Sequence, residues 1–191
     1  MTRNGKLIYH LTALENLESI LKHGLQPRCE LNKDRFDDVA DGEILVSRAS
    51  HNLGRYVPFH FFAKNPFDYG VQRTYSERDF VLICVQRATA SANNWKIVPT
   101  HPLAEEGYQI LDYDAGFSAI DWELMEQRDY SNRACKVACM AECLSPTSVN
   151  PNLISCIYVK EVRIQAIVDR LVNSHNVNCH VNVNPAMFVG S

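Results

Sequence analysis

Residues Phe80–Gln86 read Phe-Val-Leu-Ile-Cys-Val-Gln, apolar on both parities. A strand that offers apolar side chains to both faces needs cover above and below, so this run is expected at the centre of a sheet. Other strands are expected at Lys6–Leu11, Tyr56–Phe62, Trp95–Val98, Tyr108–Leu111, Ile154–Lys160 and Cys179–Val183. Pro58 argues that its strand lies at an edge or begins there. Leu14, Leu17, Ile20 and Leu21 form a helical stripe closed by Gly24, and Thr12 with Glu15 three residues on reads as a capping box. A short helix is expected around Asp121–Met125, and an amphipathic one over 162–173. Residues 26–54 read as a long loop with a broken helix near Asn32–Val39, the kind of loop that more often carries function. Strands outnumber long helices and no repeat or second core is visible, so the fold class is α+β, one domain over residues 1–191.

The chain is 46 % apolar and 21 % charged, ordinary for a globule with a full core. No apolar run approaches a membrane span, and no leader or lipidation signal is seen, so a cytoplasmic protein is expected. A net charge of -3 gives no global footprint for nucleic acid, but charge is uneven. Six acids fall between Glu30 and Glu43, and Arg48, Arg55, Lys64, Arg73, Arg78 and Arg87 follow. Seven cysteines in an irregular set suit small apolar fillers in a reducing compartment. Cys135, Cys139 and Cys143 would line one helical face, without the spacing of a structural zinc site; no metal is expected.

Glu142 is the residue most in need of an explanation. It is a lone carboxylate at the end of a stripe, Val137, Met140, Ala141 and Leu144, that recurs at helical spacing. Such a group needs a partner or a job, unless it is a rim glutamate whose head reaches water. His10 and Thr12 lie at a strand-to-helix junction, where free backbone N–H groups can meet an anion. The plain readings are a satisfied polar residue for His10 and a cap for Thr12. Tyr69 is an aromatic that faces a cleft, unless it is an ordinary core or surface ring.

Four runs occur in order: Tyr9-His10-Leu11-Thr12 with Asn16 to Leu25, then Tyr56-Val57-Pro58-Phe59-His60-Phe61, then Asp121-Trp122, then Ala141-Glu142-Cys143-Leu144. Together they resemble the DarT family of bacterial NAD-dependent ADP-ribosyltransferases, which modify bases in single-stranded DNA and act as toxins beside a macrodomain-type antitoxin. The resemblance implies an ADP-ribosyltransferase-like fold, two small bent β-sheets with flanking helices around an NAD cleft. It implies that NAD+ is consumed as co-substrate and that nicotinamide is released as a base, thymidine favoured over guanosine, is modified. It implies cofactor contacts from His10, Leu11, Thr12, Ser19, Pro27, Arg48, Phe61 and Tyr69. Glu142 matches the family's catalytic carboxylate and Arg48 its catalytic arginine, with Arg55 as rival because the run of consecutive arginines is missing here. The stretch 100–141 resembles the substrate-recognition loop, with Arg55, Arg128, Arg133 and Lys136 as candidate DNA contacts. A monomer without metal or membrane is expected.

A carboxylate fixed on the ribose hydroxyls would orient and stabilise the positive centre formed when the nicotinamide bond breaks. An arginine fork would hold a phosphate or the acceptor base. Transfer to RNA or protein on the same fold remains open, as does a non-catalytic nucleotide- or DNA-binding module. Only eight glycines, with no glycine-rich loop after the first strand, argue against a macrodomain and a Rossmann oxidoreductase.

Overall fold

The computed structural model describes residues 1–31, 52–101 and 109–190. Eight strands form a sheet of order β5-β4-β6-β2-β1-β3-β7-β8. They are β1 (Leu7–Ala13), β2 (Val57–His60), β3 (Phe80–Gln86), β4 (Lys96–Val98), β5 (Leu111–Asp112), β6 (Glu142–Ser145), β7 (Ile154–Val159) and β8 (His180–Val183). β3 lies in the interior, as its two apolar faces require: Phe80 through Val85 are all buried. The pairs are antiparallel except β7 with β8. That parallel pair needs a crossover, supplied by α7 (Val162–Ser174), whose Ile164, Val168 and Val172 are buried.

The sheet is two four-stranded halves joined by one rung. β1 follows β3 without a break from Leu7 opposite Gln86 to Ala13 opposite Phe80. Toward β2 it makes a single pair, Tyr9 opposite His60. The reason is in the sequence. The carbonyl of Pro58 points toward β1, where it meets His10 Nδ1 at 2.8 Å, so the nitrogen of the same residue faces β1 too. A proline nitrogen has no hydrogen to donate, and the ladder stops there. Pro58, the second residue of β2, is therefore at the start of its strand and not at a sheet edge; it makes the interior gap.

The remaining helices among the described residues are α1 (Leu17–His23), α2 (Pro66–Thr74), α3 (Arg87–Ala92), α4 (Tyr113–Ala119), α5 (Trp122–Gln127) and α6 (Arg133–Cys139). The main core runs through both half-sheets, from Ile8, Val81, Ile83 and Ile157 to Phe59, Ile97 and Cys143. α1 and α7 contribute Leu17, Ile20, Leu21 and Val168, and α5 and α6 contribute Trp122, Met125, Cys135 and Cys139. A second cluster, Leu11, Ala13, Phe80, Leu82, Val71 and Phe188, lies under α2.

Several expectations change. Thr12 is not a cap: β1 continues through Ala13, because pairing with β3 outweighs the local helix signal, and α1 begins only at Leu17. Gly24 does end α1, with φ 85°, and a Cβ there would come within 2.9 Å of the Val149 carbonyl. Glu142 is not helical; α6 stops at Cys139 and the glutamate opens β6. Cys135 and Cys139 therefore share a helix while Cys143 belongs to a strand, so the three do not line one helical face. α2, which starts at Pro66, is not among the expected helices. The possible helix at 32–39 lies outside the described residues.

Candidate active site at the join between the half-sheets

Paired residues on neighbouring strands share a face, so one row crosses the sheet: Val98, Glu142, His60, Tyr9, Cys84 and Cys156. Glu142 is thus one strand from the gap and two from Tyr9, about 10 Å at ordinary strand spacing. Its side chain is 4 % exposed, so the rim-glutamate reading fails. The neighbouring His60 is 6 % exposed and its Nδ1 lies 3.3 Å from the carbonyl of Ala141.

His10 is half-buried on the other strand of the gap. Pro58 O can only accept, so His10 carries its proton on Nδ1, and Nε2 is an acceptor in the neutral ring. The same argument fixes the His60 proton on Nδ1. The two imidazoles, each oriented by a backbone carbonyl, flank the one-rung join from opposite faces of the sheet, since His10 alternates with Tyr9, and the buried acid Glu142 lies on the His60 face. Among the described residues no group of His, Cys, Asp and Glu side chains is placed to hold a metal ion.

α2 closes over this region from the face that bears His60. Asn65 caps it, accepting from Asp68 N at 3.0 Å, and Pro66 takes the first helical position. The Phe67 ring packs 5.7 Å from the His60 ring. Tyr69 is 41 % exposed, and Arg73 donates to its hydroxyl at 3.2 Å. Asp68 is 1 % exposed, and burial pushes its carboxyl up to about 7.

The other expected site residues fall into distinct groups. Leu11 and Thr12 are buried on β1, and Thr12 Oγ1 accepts from Asn16 at 3.4 Å. Ser19 is exposed on α1, and Pro27 is buried just before a 3-10 turn. Phe61 corrects the expectation of a ring that stacks on the cofactor. It is 2 % exposed in the main core, 5.3 Å from Trp122 and 5.1 Å from the Arg87 guanidinium. Tyr69 remains as the accessible ring.

Arg48 lies outside the described residues, as do 102–108 of the expected recognition stretch. The rest of that stretch is built from β5, α4, α5 and α6. Arg55 is exposed, its guanidinium 6.0 Å from the Tyr56 ring. Arg133 and Lys136 are exposed on α6. Arg128 is already engaged, 4.1 Å over the Phe62 ring and donating to Thr2 Oγ1 at 3.1 Å.

Sequence reasoning missed His60 and Asp68. The run Asn65-Pro66-Phe67-Asp68 carried the signal: a capping residue, proline at the first helical position and an acid at the third mark a helix start.

The architecture defines the ADP-ribosyltransferase type of α+β fold. It matches Thermus sp. 2.9 DarT in complex with ADP-ribosylated ssDNA at TM-score 0.82, with 17 % identity over 96 % of each chain. It matches the same protein in complex with NAD+ at 0.80, with 16 % identity over 97 % of this chain and 98 % of that one. Thermosipho africanus DarTG in complex with ADP-ribose matches at 0.74, with 23 % identity over 96 % of this chain and 51 % of that one. A family model described as ssDNA thymidine ADP-ribosyltransferase, DarT, covers residues 9–189, and the chain belongs to that family. A Thermosipho africanus (strain H17ap60334) protein is 24 % identical over 184 residues, 89 % of this chain. It is described as a DNA ADP-ribosyl transferase–DNA ADP-ribosyl glycohydrolase fusion protein, and this chain spans about half its length, 46 %. Among the described residues no helix is long and apolar enough to cross a membrane.

Proposed function

We propose that the chain transfers ADP-ribose from NAD+ to thymidine in single-stranded DNA and releases nicotinamide. The observation that carries this reading is Glu142, a buried acid that opens β6 beside the one-rung join, in a chain that belongs to the DarT family. Breaking the nicotinamide–ribose bond leaves a positive sugar centre, which a fixed carboxylate orients and stabilises. His10, half-buried at the gap, is the proposed cofactor contact from β1. Tyr69 offers a ring for stacking, and Leu11, Thr12, Ser19 and Pro27 line the approach in this reading. Arg48 is proposed as the arginine that holds a phosphate or the base, with Arg55 as the second choice. Arg133 and Lys136 are the proposed phosphate contacts, being exposed and close in sequence to Glu142.

A macrodomain-type antitoxin is the proposed partner, supported by the fusion of transferase and glycohydrolase in the curated relative. The protein is proposed to act as a cytoplasmic monomer. The test is incubation with labelled NAD+ and short single-stranded oligonucleotides of varied base content, beside Glu142→Ala, with the DNA read by intact mass. A gain of one ADP-ribose that requires thymine and disappears in the variant is expected. Consumption of NAD+ with no DNA product would move the acceptor to RNA or protein.

A further inference from the structure

Asp68 has a buried carboxyl oxygen, Oδ1, with no hydrogen-bond partner. Its other oxygen accepts from Lys64 N at 3.1 Å, and Asn65 donates to the same carboxyl. Asn65 returns the bond by accepting from Asp68 N, which makes a reciprocal cap at the start of α2. Lys64 is held in the left-handed region, φ 59°, where a residue with a Cβ is strained. Its carbonyl accepts from the Tyr130 hydroxyl at 2.9 Å. Both peptide groups of a strained residue are therefore tied, one to Asp68 and one to Tyr130. The next helical neighbour, Phe67, rests on His60, which stands opposite Glu142.

We propose that Asp68 is a positioning residue for the transfer site. As a neutral acid it closes the Lys64–Asn65 turn, seats the start of α2 on β2 and holds Phe67 against His60 beside Glu142; as an anion it releases that turn. The proposal rests on the reading of Glu142 as the site carboxylate. An anion at this depth would leave a charged oxygen without a donor, an arrangement that proteins avoid by protonation or by local opening. Burial pushes the group up to about 7, outweighing the Lys64 and Asn65 hydrogen bonds, which by themselves favour the anion, so the acid persists toward neutrality. The groups around it are the Lys64 and Asn65 donors of the turn, Gln72 on α2, which donates to the Asp68 carbonyl at 3.2 Å, and Tyr130 from the α5–α6 connection. The Tyr130 hydroxyl is itself pushed up to about 12, by burial first and by Asp68 among the smaller causes. His60 is the nearest titratable group on β2, across the Phe67 ring. No charged side chain is among the causes that set the Asp68 carboxyl.

Asp68→Asn keeps the shape and the acceptor while fixing the neutral state. Wild type, Asp68→Asn and Tyr130→Phe are compared from about pH 6 to about pH 8.5, where the ionised-to-neutral ratio of such an acid rises about tenfold per unit. NAD+ turnover and DNA labelling give kcat and KM. Amide hydrogen exchange at Lys64 and Asn65, corrected for the intrinsic rate at each pH, reads the turn without relying on activity. Wild-type kcat is expected to fall about thirtyfold over that range, in step with loss of protection at Lys64, while Asp68→Asn stays flat in both. Tyr130→Phe should lower protection at every pH and leave the pH dependence intact. The same pH profile in wild type and Asp68→Asn, or Lys64 protection that ignores pH in wild type, overturns the proposal. Absence of transfer at any pH defeats the reading of the site instead, and the exchange data then decide alone whether Asp68 controls the turn.

Discussion

His60 stands directly opposite Glu142 in the β2–β6 ladder, and its ring is steadied by the carbonyl of Ala141, the residue just before the glutamate. The acid and the imidazole are thereby fixed from both strands at once. Replacement of Glu142 by Gln keeps volume and hydrogen-bonding atoms but removes the charge. We expect the rate of ADP-ribose transfer to fall at least about a hundredfold, as when a preorganised electrostatic group is lost. The fold should be retained. Intact-mass assay of labelled DNA beside a thermal melt checks both halves of this expectation.

His10→Phe retains a ring against Phe59, 5.7 Å away in the wild type, and loses the bond to Pro58. One hydrogen bond across the join is worth about 1 kcal/mol net. The variant should be less stable by that order and should bind NAD+ at least about fivefold more weakly. Urea unfolding and calorimetric titration with NAD+ measure the two effects, and unchanged affinity would remove His10 from the cofactor side.

The Asp68 carboxyl also sets a sign for stability against pH. Its folded value is raised to about 7 from 3.8, so the folded state holds the proton more tightly than the unfolded chain. That contribution is complete below about pH 4 and is lost as pH rises toward about 7, a change of a few kcal/mol. Asp68→Asn should flatten the decline. Urea midpoints at intervals across that window give the test; identical slopes for the two proteins would contradict it.

Arg87 ties the N-terminal residues to the core. Its guanidinium donates to the carbonyls of Leu7, Arg3 and Phe61, each at 3.0 Å, and lies among the rings of Phe61, Phe117 and Trp122. Lysine cannot reproduce that fork. Arg87→Lys should destabilise by about 3 kcal/mol, readable as a lower urea midpoint with an unchanged slope.

Gly116 on α4 packs against β4, and a Cβ there would lie 2.5 Å from Ile97 Cβ. Helix α4 would have to shift. Gly116→Ala should cost about 1–3 kcal/mol by overpacking, and a thermal melt will record it.

The central strand, the last crossover helix and Gly24 were legible because burial on two faces, helical spacing and a positive φ each leave a local mark in the sequence. Glu142 was legible as a carboxylate in need of a job, but its strand was not. Val137 to Leu144 fits helical spacing, yet β2 and β4 claim Glu142 to Ser145 from either side, a tertiary demand that local periodicity does not record. Thr12 was misread for the same reason. Pro58 carried more information than its edge reading used, since the missing N–H specifies where a sheet parts, not only where it ends.

The one-rung join has a consequence for how the protein comes into being. The chain lays down β1 on one side of the seam and β2 on the other, returns for β3, crosses for β4, β5 and β6, and comes back for β7 and β8. A growing chain on the ribosome therefore completes the half that carries Glu142 first: the flank of β3 stays open until β7 emerges, after Glu142 has already left the tunnel.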